Sequence, residues 1–160
     1  MTPQFVLAAI LALGAYHADR DDSPESRGAL LLPVATAIAA VARTPEDAAA
    51  MVAQAWHETH FARYVLEGRC SEGPPGQRCD PDARGVARAR GPWQVWLVAC
   101  RAADVAGEAK CVLGQMRMGL ARCSSWGGAL ASLDGQWRCG DAPARVQTMR
   151  KVLATMGGRK

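Results

Sequence analysis

Six cysteines (Cys70, Cys79, Cys100, Cys111, Cys123 and Cys139) fall in the later part of this 160-residue chain. No two of them form a C-x-x-C pair, so neither a zinc ribbon nor a thioredoxin-type motif is expected. An even number of spaced cysteines in a small basic chain reads instead as a set of disulfides. The shortest-loop choice pairs neighbours: Cys70 with Cys79, Cys100 with Cys111, and Cys123 with Cys139. Each bridge would add about 2–4 kcal/mol by restricting the unfolded chain. The competing reading is six buried thiols in a reducing cytosol. Disulfides require an oxidising compartment.

The chain between the cysteines is helical in character. Alanine dominates and favours helix. Strand formers are scarce, with two Phe and two Tyr. At 49% hydrophobic and 21% charged, the composition is that of a globular domain with a full core. The net charge of +4 is carried mostly by arginine. Such an excess suits an acidic polymer, but no basic run is interleaved with aromatics, so nucleic acid is not the expected partner.

Phe5 to Leu13 is apolar and too short to span a bilayer. It looks like a signal-peptide core, yet no Lys or Arg precedes it. Thr2-Pro3 also looks like a helix start. Residues 1–22 are therefore read as an N-terminal helix or a signal-like segment, with a packed helix from Pro3 to about Ala18 slightly preferred. Residues 23–160 form the main domain. A second helix begins at Ser23-Pro24-Glu25 and is either kinked at Pro33 or starts later. Thr44-Pro45-Glu46-Asp47 combines a capping Thr, a first-turn Pro and two acids, so a third helix should run to about Tyr64. Residues 67–92 are rich in Gly, Pro, Arg and Asp, and read as a long disulfide-tied loop with room for a short hairpin. Loops of that length inside a domain are usually functional. Helical patterning returns at 95–105, 108–123, 126–133 and 142–156. The last segment has Val146, Met149, Val152, Leu153 and Met156 as its apolar stripe.

The chemistry centres on Ala55-Trp56-His57-Glu58-Thr59-His60-Phe61. On one continuous helix, Met51, Ala55, Glu58, Ala62 and Val65 share a face. Glu58 is the only charged residue on it. A carboxyl drawn partly out of water holds its proton more tightly and can protonate a leaving oxygen. The plainer alternative is an edge Glu that reaches solvent or pairs with Arg63 or Arg90.

Three segments together resemble the lytic transglycosylase and goose-type lysozyme superfamily. Glu58-Thr59-His60-Phe61 is similar to that family's Glu-Ser-x-Phe. Gly91-Pro92-Trp93-Gln94-Val95 stands where the family has a Gly-Leu-Met-Gln-Ile type segment. Ala129-Leu130-Ala131-Ser132-Leu133-Asp134-Gly135 is similar to Ala-Leu-Ala-Ala-Tyr-Asn-Gly. Their order and approximate spacing agree over residues 30 to 156. The resemblance implies a mainly α, lysozyme-like domain whose substrate is peptidoglycan. It implies Glu58 as catalytic acid and base, no cofactor, and Gln94 beside the sugar within reach of Glu58. Thr59 falls in the Ser position, Leu133 replaces the family Tyr and Asp134 the family Asn. Tyr64 is then the candidate for the missing hydroxyl, and Asp134 a candidate groove acid.

Trp93 suits a sugar-stacking wall, whereas Trp96 fits better as core. His57 and His60 are spaced three apart, one short of the zinc-protease His-Glu-x-x-His, and His17 is the only further His. No metal site is therefore expected. The expectation is glycan-strand cleavage of the lytic transglycosylase type. The alternatives are a hydrolytic muramidase, with Asp134, Asp80 or Asp82 as second acid, and an inactive glycan- or partner-binding module. Such a protein would be secreted, periplasmic or carried to the periplasm by a virion. It would have no transmembrane span.

Overall fold

The computed structural model describes residues 1–16, 19–69, 89–96, 100, 102, 104–133 and 138–157. Among these the chain is mainly α, as expected. In order they form α1 (Pro3–Leu11), α2 (Pro24–Val41), α3 (Pro45–Thr59), α4 (Arg63–Leu66), the two-residue strands β1 (Ala89–Arg90) and β2 (Val95–Trp96), α5 (Val105–Cys123), α6 (Trp126–Ser132) and α7 (Pro143–Gly157). No described helix is long and apolar enough to cross a membrane.

The core is built around α3. Ala48, Ala49, Ala50, Met51, Val52, Ala53 and Ala55 are all fully buried. Alanine carries little side chain, so neighbouring helices can approach closely. α7 and α5 pack on α3, α6 packs on α5 and α7, and α1 lies against α2 and α7. The start of α3 is held by the capping box read from sequence. Thr44 Oγ1 accepts from Asp47 N at 3.1 Å, and Asp47 Oδ2 accepts from Thr44 N at 3.1 Å. Asp47 also accepts from Arg43 N and pairs with Arg117 of α5, tying two helices at one carboxylate. Burial pushes the Asp47 carboxyl up, but hydrogen bonds from Arg117, Arg43 and Thr44 more than offset it and hold it below the usual range.

Several boundaries differ from expectation, each for a local reason. α1 ends at Leu11 rather than Ala18, because the chain turns and Gly14 takes a positive φ of 97°. Its buried face of Val6, Ala9 and Ile10 joins the same core as α2 and α3. α2 begins at Pro24 and continues through Pro33, whose ring is on the exposed side. α3 stops at Thr59, five residues before Tyr64, because His60 and Phe61 both adopt left-handed φ values of 51° and 53°. Ala62 and Val65 therefore do not continue the Glu58 stripe; they lie with Tyr16 in a separate small cluster.

Residues 95–105 do not open as a helix. Val95–Trp96 pairs antiparallel with Ala89–Arg90, Ala89 opposite Trp96 and Arg90 opposite Val95. Gly91 (φ 67°) and Gln94 (φ 48°) provide the reversal between the strands. The later helices match closely. α5 is capped by Asp104 accepting from Gly107 N, and α6 by Ser125 accepting from Gly128 N. Two bridges form as neighbour pairing expected: Cys100–Cys111, and Cys123–Cys139. Cys70 and Cys79 lie outside the described residues.

Candidate active site

The three family-like segments are far apart in sequence and meet at the end of α3. Thr59 is the first link. Its hydroxyl lies 3.0 Å from Ala55 O and 3.1 Å from Pro92 O, and accepts from Phe61 N at 3.2 Å. One hydroxyl thus ends the helix, fixes the left-handed turn and fastens the 91–94 turn to it. Thr59 is buried, so its role is in this junction rather than at a substrate surface.

Phe61 is fully buried despite its left-handed backbone. Such a conformation costs about 1–3 kcal/mol for a bulky residue and persists only where packing over-determines it. Here the buried ring and the Thr59 hydrogen bond do so. A second non-glycine residue of this kind, Gln94, lies across the junction.

Trp93 requires a correction. Its indole Nε1 donates to Met51 O at 2.9 Å, and 4% of the residue is exposed. The ring is part of the core beside α3, so it has no face to stack on a sugar. A buried Trp needs a partner for its N–H, and Met51 O supplies it. Gln94 folds back on its own turn: Nε2 donates to Gly91 O at 3.0 Å, and its backbone N donates to the same oxygen at 3.2 Å. Gly91 is required twice over, by its positive φ and because the Glu108 carboxylate occupies the space a β-carbon would take.

Glu58 sits on the last turn of α3, with its side chain about 25% exposed. Its Oε1 accepts from Gln54 Nε2 at 2.8 Å and from Arg145 Nη2 at 3.0 Å. Arg145 comes from the first turn of α7. Its Nη1 also donates to Leu130 O at 3.2 Å, within the third family-like segment. The guanidinium therefore bridges α6 to the Glu58 carboxylate. An adjacent cation favours the ionised carboxylate, against the effect of burial. The arginine partner is neither Arg63 nor Arg90. Arg63 binds Asp22 at 2.8 Å and Glu67 at 2.9 Å, on the far side of α4.

His57 and His60 are engaged separately. His57 Nε2 lies 3.0 Å from Thr148 Oγ1 of α7. Burial first, then the nearby Arg145 charge, pushes the His57 imidazole below its usual value, so it is neutral at pH 7. His60 packs edge-on against Trp56, with ring centroids 4.8 Å apart, and lies near Tyr16. No group of three metal-ligating side chains occurs among the described residues. Tyr64 packs against Tyr16 with centroids 6.2 Å apart, and burial pushes its phenol above the usual value. It belongs to the small cluster beyond α3. Asp134, Asp80 and Asp82 lie outside the described residues, as does the side chain of Trp96.

An open pocket of about 540 Å³ shares Gly91 and Pro92 with the turn and is walled by Val34, Val65, Leu66 and Glu108 among others. Glu58 is not in its wall. Sequence reasoning missed two residues at the site. Gln54 lies four before Glu58 on the same helix, and that spacing was a usable signal. Arg145 is 87 positions from Glu58 and carries no local signal. Comparison with protein-family models, curated proteins and solved structures gives no match to this chain, so the family resemblance rests on the three segments and their geometry.

Proposed function

We propose that this chain cleaves the glycan strands of peptidoglycan between N-acetylmuramic acid and N-acetylglucosamine, with Glu58 as proton donor and acceptor. The observation that carries this reading is the convergence at one carboxylate. Glu58-Thr59 meets the 91–94 turn through Thr59–Pro92, and meets the 129–133 segment through Arg145–Leu130. Segments that merely looked similar by chance would have no reason to gather around the one half-buried acid.

In the proposed reaction the protonated Glu58 carboxyl gives its proton to the glycosidic oxygen. The bond from the muramoyl C1 to that oxygen breaks, and its electron pair leaves with the oxygen. Positive charge builds on the sugar ring. The muramoyl C6 hydroxyl oxygen then bonds to C1, and its proton passes to the Glu58 carboxylate. The product is a 1,6-anhydro sugar, and Glu58 ends as it began. Gln54 and Arg145 stabilise the carboxylate that exists between the two proton transfers. The lytic transglycosylase course needs a single acid, which suits a site where Glu58 is the one carboxylate at the junction among the described residues. The muramidase course needs a second carboxylate to activate water. This reading puts the protein where peptidoglycan and oxidised cysteines coexist: secreted, periplasmic, or delivered there by a virion.

A second reading also has an observation behind it. Glu58 is ion-paired rather than alone, and Leu133 stands where the resembled family has Tyr. A glycan-binding module on the same scaffold would accommodate both. Incubating the oxidised protein with bacterial peptidoglycan and analysing soluble products by mass spectrometry separates these readings. Anhydro-muropeptides support the transglycosylase, and reducing ends a muramidase. Binding to sacculi with no release supports the module. Glu58→Gln should abolish release while leaving the thermal transition in place; full activity in that variant would refute Glu58 as the acid.

A further inference from the structure

We propose that Arg145 is a positioning residue that holds Glu58 in its ionised form and so confines proton donation to the acidic side of neutrality. The inference rests on the cleavage reading above for its catalytic consequence, but its physical content concerns the pair alone.

The guanidinium is fixed. One arm binds Glu58 Oε1 at 3.0 Å and the other binds Leu130 O at 3.2 Å. Its side chain is 16% exposed. A cation tethered at both ends cannot swing into water at the cost of a single bond, unlike an ordinary surface arginine. Gln54 Nε2 adds a neutral donor to the same carboxylate oxygen. Both donors favour the charged carboxylate.

The other charges on elements packed around Glu58 are accounted for among the described residues. On α3 itself, His57 is neutral and turned to Thr148, and His60 stacks on Trp56. Neither α6 nor the 91–94 turn carries an ionisable side chain. On α7, Arg150 and Lys151 are exposed. α5 meets α3 through Arg117 at Asp47, at the opposite end of α3. On α2, Arg27 is committed to Gly14 O and Asp19. Arg145 is thus the cation in contact with Glu58.

A proton donor must be protonated before it can act. A fixed cation moves that condition to lower pH, and in return stabilises the carboxylate left by donation. The fall in activity towards alkaline pH should therefore lie lower than for an unpaired Glu. Removing the charge should move it up.

The test is a carboxyl carbon-13 NMR titration of Glu58 in the full-length oxidised protein, assigned by the resonance lost in Glu58→Gln. Wild type is compared with Arg145→Gln and Arg145→Lys, and muropeptide release is followed over the same pH range. Arg145→Gln should raise the Glu58 midpoint by about 1 pH unit or more, the size expected from one adjacent cation. Arg145→Lys, which keeps charge but lacks the second arm, should fall between. Should Arg145→Gln fail to fold, the Lys variant carries the test: a midpoint raised above wild type supports the role of the tethered fork. A Glu58 midpoint that is unchanged or lowered in the variant overturns the inference. A raised midpoint with no muropeptide release from any protein at any pH leaves Arg145 acting on Glu58 and refutes the cleavage reading instead. A raised midpoint with the alkaline fall in release unmoved refutes the link between this pair and proton donation.

Discussion

Replacing Thr59 with valine changes one hydroxyl to a methyl at nearly constant volume, and this isolates the junction between α3 and the 91–94 turn. Three groups depend on that oxygen: Ala55 O, Pro92 O and Phe61 N. Ala55 O keeps the ordinary options of a helix carbonyl. Phe61 N is buried and loses its acceptor, which costs roughly 1–3 kcal/mol, and Pro92 O loses a donor worth about 1 kcal/mol. The expected destabilisation is therefore about 2–3 kcal/mol. With an unfolding entropy of roughly 2.1 cal/mol/K per residue, each kcal/mol corresponds to about 3 °C in a chain of this size. Thr59→Val should lower Tm by about 6–9 °C. Thr59→Ser keeps the hydroxyl and loses one methyl, so it should cost about 1 kcal/mol, or roughly 3 °C. Differential scanning calorimetry under non-oxidising and non-reducing conditions reads both. A Thr59→Val transition within about 1 °C of wild type, or a Ser variant that loses as much as Val, would refute the claim that the hydroxyl holds this junction.

Asp47→Asn keeps the shape of the α3 cap but removes the charge facing Arg117. It should cost about 1–2 kcal/mol at pH 7, discounted because Arg117 is one-third exposed and can rehydrate. The native Asp47 carboxyl is held below its usual range. Its stabilisation is therefore complete above the unfolded value near pH 4 and is lost as pH falls through the native value. The wild-type advantage measured by urea unfolding should shrink over that acidic window; a constant difference down to pH 2 would contradict it. Cys123→Ala with Cys139→Ala opens a loop of sequence separation 16 and should cost about 3 kcal/mol. Thermal unfolding of the double variant should match neither wild type nor a fully reduced wild-type sample, which also loses Cys100–Cys111. A Tm equal to wild type would show that the bridge adds nothing.

The sequence by itself determined the helical class, most of the helix starts and two of the disulfide pairs. Those properties are local. A cap such as Thr44-Pro45-Glu46-Asp47 acts within one turn, alanine favours helix wherever it stands, and short loops make neighbouring cysteines the nearest partners. It also singled out Glu58, because one charge on an apolar face is visible from spacing alone. Only the tertiary structure decided where α3 ends and what surrounds Glu58. Helix propensity would have carried α3 on to Tyr64, but burying Phe61 and binding Thr59 to Pro92 required two left-handed residues. Trp93, read as a sugar wall, was drawn into the core because its N–H found Met51 O. Arg145 reached Glu58 because α7 packs along α3, and that contact depends on how the helices fill space together rather than on any pattern within either segment.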